Sequence, residues 1–320
     1  MNETTTYYAP LQFIADASDE GRRLRDVLRK RVGISRKLMV KLKMSDEGLT
    51  VNGEKARPYD LITAGDVIAL HMETEQSEDI LPQPIPVDIV FEDEHILVVN
   101  KRAGIIVHPT TGHYTNTLAN GIVYHWQERG ERVRFRPVNR LDEHTSGLVL
   151  IAKHVFASQQ LGEQMKAGTI EKQYRAYVYG QPPGQKGEVN APIGRQTEDP
   201  HRRVVREDGA PSLTYYEVAD VYGHYATSLD VRLGTGRTHQ IRVHLTSIGC
   251  PLIGDSYYSL ERWSESEIAV QFAKVIERQA LHAVRLAFDH PVTGVRMEHE
   301  ASLPEDLLNL EAMLREIRSE

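Results

Sequence analysis

The segment that most constrains the fold is residues 138–149, in which a polar turn leads directly into an apolar run. Residues 148–152, Leu-Val-Leu-Ile-Ala, are short and continuously apolar, which predicts a buried strand. The turn before it places Asp142 close to the start of that strand. A carboxylate held at the end of a rigid strand is well placed to act as a nucleophile or general base. Taken alone, the turn has a second explanation, because Asp and Thr side chains commonly bond turn amides.

Composition bounds the class of protein. The chain has 320 residues, with 40% hydrophobic and 26% charged, which is typical of a soluble globular protein that is long enough for two domains. The single cysteine, Cys250, excludes an internal disulfide framework, and we expect it to be a small core residue. No apolar run approaches the ~20 residues that cross a bilayer, and residues 1–6 lack the features of a secretory signal. We therefore expect a cytoplasmic protein without a membrane partner, acting as a monomer.

The net charge of −7 is unevenly distributed. Between Arg22 and Lys43 the chain has ten basic residues and one acidic residue, Asp26. Such local asymmetry indicates a polyanion-binding unit attached to a more acidic body. A solvated helix face is the alternative, but such faces usually mix both signs of charge.

The chain divides into three regions. Leu24, Val27 and Leu28 recur at helical spacing, and Ser35 resembles the N-cap of a second helix. Strands are expected at 49–51 and 67–70, with Asn52-Gly53 as a turn. These elements predict a small N-terminal α/β domain over residues 11–74. Residues 75–86 are acidic and contain three prolines, which predicts a linker, and residues 87–320 form the second domain.

The second domain interleaves strands and helices without a regular βαβ rhythm. Strands are expected at 88–91, 96–99, 148–152, 170–179, 213–221, 225–233 and 281–288, and helices at 117–128, 154–166 and from Pro304 onward. The pattern favours an α+β domain with a mixed sheet over a doubly wound fold.

Cofactor and metal motifs are missing from the sequence. It contains no glycine-rich phosphate loop followed by Lys-Ser/Thr, no GxGxxG and no CxxC, so we expect no cofactor. His108, His113 and His125 lie near one another, but their spacings match no helix-borne ligand pair, so we expect no metal site.

Two further segments carry polar residues in apolar surroundings. In residues 172–179, strand spacing places Tyr174 on one face, although an ordinary aromatic sheet face would look the same. In residues 234–245, a glycine-rich turn is expected to open a helix whose Arg237, Gln240 and His244 share one stripe. Burying such groups is costly without a purpose, and Arg242, at the buried edge, needs a carboxylate partner.

These segments resemble those of the bacterial pseudouridine synthases of the ribosomal large-subunit type. The resemblance covers about residues 20 to 305. The motif that opens the catalytic domain of these enzymes is similar to a segment with Asn100-Lys101, Gly104 and residues 107–109. The N-terminal unit is similar to the alpha-L (S4-type) RNA-binding domain. The ordered segments that carry the likeness are 140–147, 172–176, 236–245, 249–255 and 281–283.

The resemblance implies a function and a set of roles. The protein would isomerise uridine to pseudouridine in structured RNA, most readily large-subunit rRNA, with a transfer RNA as the alternative. The fold would be a largely antiparallel central sheet with flanking helices. Asp142 would be the catalytic carboxylate, Arg242 its ion-pair partner and Tyr174 the residue that packs on the target base. The residues expected to contact RNA are Arg140, Lys101, Arg237, Arg195, Arg202, Arg203, Arg22, Arg23, Arg36, Lys37 and Lys41.

Some positions depart from the family pattern, and other functions were considered. Asn139 stands where many relatives have histidine, and Arg102 where proline is common. Residues 257–260 also differ from the usual pattern. A non-catalytic ribosome-assembly factor would be expected to lose Asp142 or Tyr174, and both are present. A glycoside hydrolase usually needs a second carboxylate near the first, whereas Glu143 is expected to point away from the site.

Overall fold

The computed structural model describes residues 6–199, 201–264 and 266–319. The helices within these ranges are α1 (Leu24–Lys30), α2 (Arg36–Met44), α3 (Leu118–Glu128), α4 (Val155–Ala167), α5 (Gln240–Ser247), α6 (Glu261–Ser264), α7 (Glu267–Phe272) and α8 (Glu305–Ser319). The strands are β1 (Leu11–Ile14), β2 (Leu49–Val51), β3 (Glu54–Lys55), β4 (Val67–Leu70), β5 (Asp88–Glu92), β6 (Ile96–Lys101), β7 (Ser146–Ala152), β8 (Glu171–Tyr179), β9 (Lys186–Asn190), β10 (Ile193–Arg195), β11 (Arg203–Val205), β12 (Leu213–Tyr222), β13 (Ala226–Leu233), β14 (Leu281–Asp289) and β15 (Arg296–Glu300).

A large central sheet organises the second domain. Its strand order is β5-β6-β7-β14-β8-β13-β12-β9, and β15 pairs with the outer part of β14. The pairings are antiparallel except that of β7 with β14, which is parallel. Apolar side chains pack on both faces, under α3 on one side and under α4 and α8 on the other. The expected α+β fold with a mixed, largely antiparallel sheet and flanking helices is therefore confirmed.

The parallel pairing of β7 and β14 depends on Gly147. This residue has φ +115°, a conformation that side-chain-bearing residues rarely adopt, and it lies opposite Ala283 of β14. A Cβ at this position would overlap the backbone of Ala283. The glycine thus lets the two strands meet directly after the turn that carries Asp142.

The N-terminal unit is a four-stranded sheet, in the order β1-β4-β2-β3, packed against α1 and α2. Ser35 caps α2, since its hydroxyl accepts a hydrogen bond from the Leu38 N–H, as its sequence position predicts. Asn52 and Gly53 have positive φ and form the predicted turn. The sequence interpretation missed β1, whose short segment lacks a clear alternation.

The segment 75–86 is not a free linker. Ile80 is buried, and the Ser77 hydroxyl accepts a hydrogen bond from the Phe135 N–H at 2.8 Å. The N-terminal unit also packs directly on α4, where Phe156 joins its apolar core. Gln159 of α4 bonds both the Ser35 N–H and the Gly33 carbonyl. Proline and acidic content thus does not exclude packing by the apolar residues between them, and the role of this segment as the connection between two domains stays a prediction.

No helix in the described ranges has both the length and the apolar character that a membrane crossing requires.

Candidate active site

A cavity of about 890 Å³ opens at the middle strands of the central sheet, beside β8 and β14. It lies between the turn before β7, the strand β8 and the loop that enters α5. The residues expected to act at the site come together on its wall although they are far apart in sequence: Arg140, Asp142, Tyr174, Arg237 and Arg242.

The turn that carries Asp142 is held by two buried cations. Within the turn, the Thr145 N–H donates a hydrogen bond to the Asp142 carbonyl at 3.1 Å. The ammonium of Lys101 donates to the Glu143 carbonyl at 2.8 Å, and Arg278 donates to the His144 carbonyl at 3.0 Å. Two successive carbonyls of the turn are thus bonded by buried side chains, which restricts where Asp142 can point.

Lys101 has a different role from the phosphate contact that we expected. It is 1% exposed, and its Nζ also donates to the carbonyls of Arg102 and Ile105, at 3.0 and 2.7 Å. Burial lowers the pKa of Lys101 to about 7, against the opposing effect of the Asp142 charge. Three carbonyl acceptors require the three N–H groups of an ammonium, which favours the charged form. These bonds occupy all three donors, so Lys101 positions the turn instead of binding a phosphate.

Arg242 lies between two carboxylates. Its Nη1 donates to Asp142 Oδ2 at 3.3 Å, while Nε and Nη2 donate to Asp255 at 2.7 and 2.9 Å. Arg242 is 8% exposed and Asp255 is 4% exposed, whereas Asp142 reaches the cavity. Burial opposes the charge on Arg242, but Asp255 and Asp142 together outweigh it and raise the pKa of the guanidinium. The expected pairing of Arg242 with Asp142 is present, but the bidentate partner is Asp255.

The sequence interpretation did not assign a role to Asp255. Its carboxylate also accepts the N–H groups of Tyr257 and Tyr258, at 3.0 and 3.1 Å. The ring of Tyr258 lies over the Arg242 guanidinium, 4.8 Å from its centroid. The available signal was that Arg242 needed a carboxylate and that Asp255 follows Gly254 in one of the quoted segments.

Tyr174 lies on β8 with its side chain toward the cavity and is only 5% exposed. Burial first, and the Asp142 charge second, raise the pKa of Tyr174 far above its ordinary value. Its hydroxyl therefore stays protonated throughout the physiological range. Tyr174 and Ala176 share one core, and Tyr177 belongs to the core on the other face, as strand spacing predicts.

The helix expected from the glycine-rich turn begins later than predicted. α5 starts at Gln240, and Arg237 lies in the preceding loop. Gln240 is buried and bonds the Thr235 hydroxyl and the Leu213 carbonyl. His244 is buried between the Thr214 hydroxyl and the Ala191 carbonyl. The polar stripe is corrected accordingly, since the side-chain bonds of Gln240 and His244 tie α5 to its neighbours, whereas Arg237 is exposed at the cavity wall.

The other arginines of the second domain that were expected to contact RNA lie in two places. Arg140 and Arg237 are exposed at the cavity wall. Arg195 and Arg203 lie on the hairpin of β10 and β11, and Arg202 immediately precedes β11. The guanidinium of Arg202 stacks over the ring of Tyr258, at 5.5 Å from its centroid.

The basic residues of the N-terminal unit lie at its surface. The exposed residues that were expected to contact RNA are Arg22, Arg23, Arg36, Lys37 and Lys41. Lys41 pairs with Glu75, so part of its charge is already compensated. Arg36 and Lys37 stand together on the first turn of α2.

The structure also gives the surroundings of three residues noted in the sequence: Asn139, Cys250 and His125. Asn139 is buried and bonds the backbone of β7, donating to the Leu148 carbonyl and accepting the Leu150 N–H. Cys250 is buried and unpaired, as expected. His125 contacts Glu92, and within the described ranges no three His, Cys, Asp or Glu side chains are grouped to hold a metal ion.

Comparisons with known proteins bear on the family to which the chain belongs. The family model described as RNA pseudouridylate synthase matches residues 95–247. The Bacillus subtilis protein named as the uncharacterized RNA pseudouridine synthase YjbO is 39% identical over 280 residues, 87% of this chain and 95% of that protein. Ribosomal large subunit pseudouridine synthase D of Pseudomonas aeruginosa is 41% identical over 279 residues, 86% of each chain.

Among solved structures, human RNA Pseudouridylate Synthase Domain Containing 4 is similar with a TM-score of 0.58. It is 23% identical, and the match covers 71% of this chain and 93% of that one, which supports the fold alone. The two bacterial relatives are similar enough, over nearly their whole lengths, to decide the family. The chain therefore belongs to the RNA pseudouridine synthases, which are isomerases.

Proposed function

We propose that this enzyme uses Asp142 to isomerise specific uridines in structured RNA. The observation that carries the proposal is the position of this carboxylate, at the cavity wall and 3.3 Å from the buried guanidinium of Arg242. In the reaction the bond from ribose C1′ to N1 breaks and a bond from C1′ to C5 forms. The proton leaves C5 and one is gained at N1, so the atoms balance without any redox partner.

Asp142 acts on the ribose side of the target nucleotide. Breaking the glycosidic bond develops positive charge on the sugar, and a carboxylate beside the anomeric centre stabilises that charge. It acts either by adding to the sugar or by removing a neighbouring ribose proton. Arg242 stabilises the negative charge of Asp142 between turnovers, and the bidentate bond to Asp255 keeps the guanidinium in place.

Tyr174 and Arg140 act on the base. Tyr174 forms a rigid apolar wall with a protonated hydroxyl, against which a uracil ring can pack. A nucleotide must leave its stack to reach the cavity, at a cost of a few kcal/mol. Arg140, exposed beside Asp142, fills the space that the base leaves. Arg237 and the hairpin arginines, Arg195, Arg202 and Arg203, contact neighbouring phosphates.

The substrate is proposed to be 23S rRNA or its precursor, because the Pseudomonas aeruginosa relative is named for the ribosomal large subunit. Residues 11–74 form an S4-like RNA-binding domain, joined by residues 75–86 to a catalytic domain over residues 87–320. The exposed basic residues of α1 and α2 bind the RNA backbone away from the target uridine.

The first experiment tests Asp142. Asp142→Asn is expected to abolish pseudouridine formation in a 23S rRNA transcript while RNA affinity is retained, because the side chain keeps its size and loses its charge. Glu143→Gln is the matched control, because Glu143 is the adjacent carboxylate and is exposed. An Asn variant that converts uridine at the wild-type rate would refute the assignment.

The second experiment identifies the RNA. Chemical mapping of pseudouridine in ribosomal and transfer RNA is compared between cells with and without the protein. Loss of a site in 23S rRNA supports the proposal, whereas loss confined to transfer RNA would replace the substrate. Loss of no site in either RNA would contradict both.

The third experiment tests the N-terminal basic surface. Arg36→Gln combined with Lys37→Gln is expected to weaken RNA binding and to reduce the slope of log affinity against log salt by about two, since two phosphate contacts are lost. Lys186→Gln, at an exposed site on β9, is the control. An unchanged slope would remove the role of α2.

A further inference from the structure

His239 lies beside Asp142 and has no role in the proposal above. Its Nε2 is 3.9 Å from Asp142 Oδ2, and its Nδ1 is 2.8 Å from the hydroxyl oxygen of Tyr258. The ring lies on the cavity wall and its side chain is largely buried. It therefore touches both the proposed catalytic carboxylate and the Arg242–Asp255 network that supports it.

The backbone of His239 is held in an uncommon conformation. Within the described ranges, the non-glycine residues with positive φ are Asn52, Asn116 and His239, at +52°, +59° and +57°. Positive φ is uncommon for residues other than glycine, although asparagine and histidine adopt it more often than most, and residues held there cluster at functional sites. With this backbone conformation the imidazole lies beside Asp142, directly before α5 begins.

The hydrogen bonds select one tautomer of His239. The Tyr258 hydroxyl oxygen accepts the Arg203 N–H at 2.8 Å, which leaves its own proton for His239 Nδ1. When Nδ1 accepts, the proton of a neutral imidazole is on Nε2. That N–H is the group nearest to Asp142. Burial lowers the pKa of His239, against the effect of Asp142 and with that of Arg242, which agrees with the neutral form.

We propose that His239 is a positioning residue, whose Nε2–H, set by Tyr258, donates to Asp142 Oδ2 and orients that carboxylate toward the ribose. The inference rests on the proposed role of Asp142. A separation of 3.9 Å is longer than a hydrogen bond, but such bonds in active sites are often long before substrate binds and shorten in the complex. Arg242 and His239 then hold the same carboxylate oxygen from two directions.

Protonation of His239 would change this arrangement. The charged and titratable groups that face the imidazole are Asp142, Arg242, Arg203, Asp255, Tyr257 and Tyr258. A protonated ring would place another cation against Asp142 and weaken that carboxylate as a base. Turnover is therefore expected to fall as the pH drops through the pKa of His239, which gives the enzyme an acid limb.

The test uses two carboxamide variants of the full chain in single-turnover assays on the 23S rRNA transcript. His239→Asn keeps a residue that tolerates positive φ but has no group that reaches Asp142. His239→Gln places an amide N–H near the position of Nε2. We expect the Asn variant to lose about tenfold in rate constant at unchanged RNA affinity, roughly one hydrogen bond, and the Gln variant to recover most of that loss.

Tyr258→Phe supplies an independent arm, because it keeps the ring over Arg242 and removes only the hydroxyl. It is expected to move the acid limb to higher pH, since His239 loses the bond that favours its neutral form, whereas His239→Gln moves the limb to lower pH. In the His239→Asn background, Tyr258→Phe is expected to have no further effect on rate.

The outcomes separate the two proposals. The role of His239 alone would be overturned if Asp142→Asn were inactive while the His239 variants kept the wild-type rate and the wild-type acid limb. Full additivity of the Tyr258 and His239 effects would also overturn it. Failure of the wild-type protein to form pseudouridine in ribosomal or transfer RNA would overturn the proposed function, and this inference with it.

Discussion

Asp255→Asn is the substitution that most directly tests how the site is supported. Asp255 is buried and bonds Arg242 through both carboxylate oxygens, at 2.7 and 2.9 Å. An asparagine of the same size can accept only one of these bonds and turns an N–H₂ toward a guanidinium that has only donors. Arg242 then keeps its charge in a buried position with Asp142 as its remaining carboxylate, at 3.3 Å.

The expected cost follows from burial. Removing one partner of a buried ion pair costs about 3–5 kcal/mol, because the other charge is left without compensation. Asp142 offsets part of this, so we expect about 3 kcal/mol in the free energy of unfolding. For a domain of this size that is a fall in Tm of about 6–12 °C. The rate of pseudouridine formation should fall further than stability alone explains, because Arg242 no longer holds a fixed position beside Asp142.

Urea denaturation and single-turnover kinetics measure the two effects separately. Asp208→Asn is the matched control, since Asp208 pairs with Arg206 at an exposed site and its loss should change neither quantity measurably. A variant with wild-type stability and wild-type rate would refute the argument that Asp255 anchors Arg242. A variant with wild-type stability but a reduced rate would show that the ion pair mainly positions Arg242 beside Asp142 and adds little to the free energy of unfolding.

Three further predictions concern the scaffold. Lys101→Met leaves three carbonyls without their donor. It is expected to lower the free energy of unfolding in urea by about 1–3 kcal/mol and to reduce the rate of pseudouridine formation more than RNA affinity. A variant as active as the wild type would contradict the positioning role of Lys101. Gly147→Ala is expected to lower the free energy of unfolding by about 3 kcal/mol, because the new Cβ meets the Ala283 backbone and φ is positive at this residue. Its control is Gly162→Ala, within α4 and facing open space, which should be neutral or slightly stabilising. Similar unfolding midpoints for the two variants would contradict this prediction. Burial would raise the pKa of Glu92, but its hydrogen bonds to a lysine, a histidine and a tryptophan lower this pKa to about 2. The ionised Glu92 side chain therefore contributes fully to stability above pH 4.5, and this contribution is lost as the pH falls toward 2. The stability difference between the wild type and Glu92→Gln should therefore narrow over that range, and a constant difference would refute the linkage.

Most of the regular structure could be predicted from periodicity and caps. The helices expected at 117–128 and 154–166 are α3 and α4, whose N-caps are the side chains of Thr117 and His154. The long strands β8, β12, β13 and β14 occur where β-branched and aromatic residues accumulate. Short strands such as β1, β10 and β11 were not predicted, because an alternation of apolar and polar residues over three or four positions cannot be distinguished from that of a loop.

The start of α5 shows where local reasoning fails. Glycine-rich turns often precede helices, and the polar residues after Gly236 had helical spacing. In the structure His239 leaves the helical region and the helix begins one residue later, at Gln240. The hydrogen bonds of Tyr258 and the buried side chain of Gln240 hold this loop, and both depend on partners distant in sequence.

By itself the sequence determined the α+β class and the buried strand after Asp142, because both depend on residue type and local spacing. Its resemblance to a known family implied which acidic, basic and aromatic residues would meet at the site. Tertiary structure alone decided which carboxylate anchors Arg242, that Lys101 faces three carbonyls instead of solvent, and that His239 meets Asp142. These outcomes depend on which side chains a fold brings within 3 or 4 Å of one another, and such proximity is set by sheet order and packing across the chain.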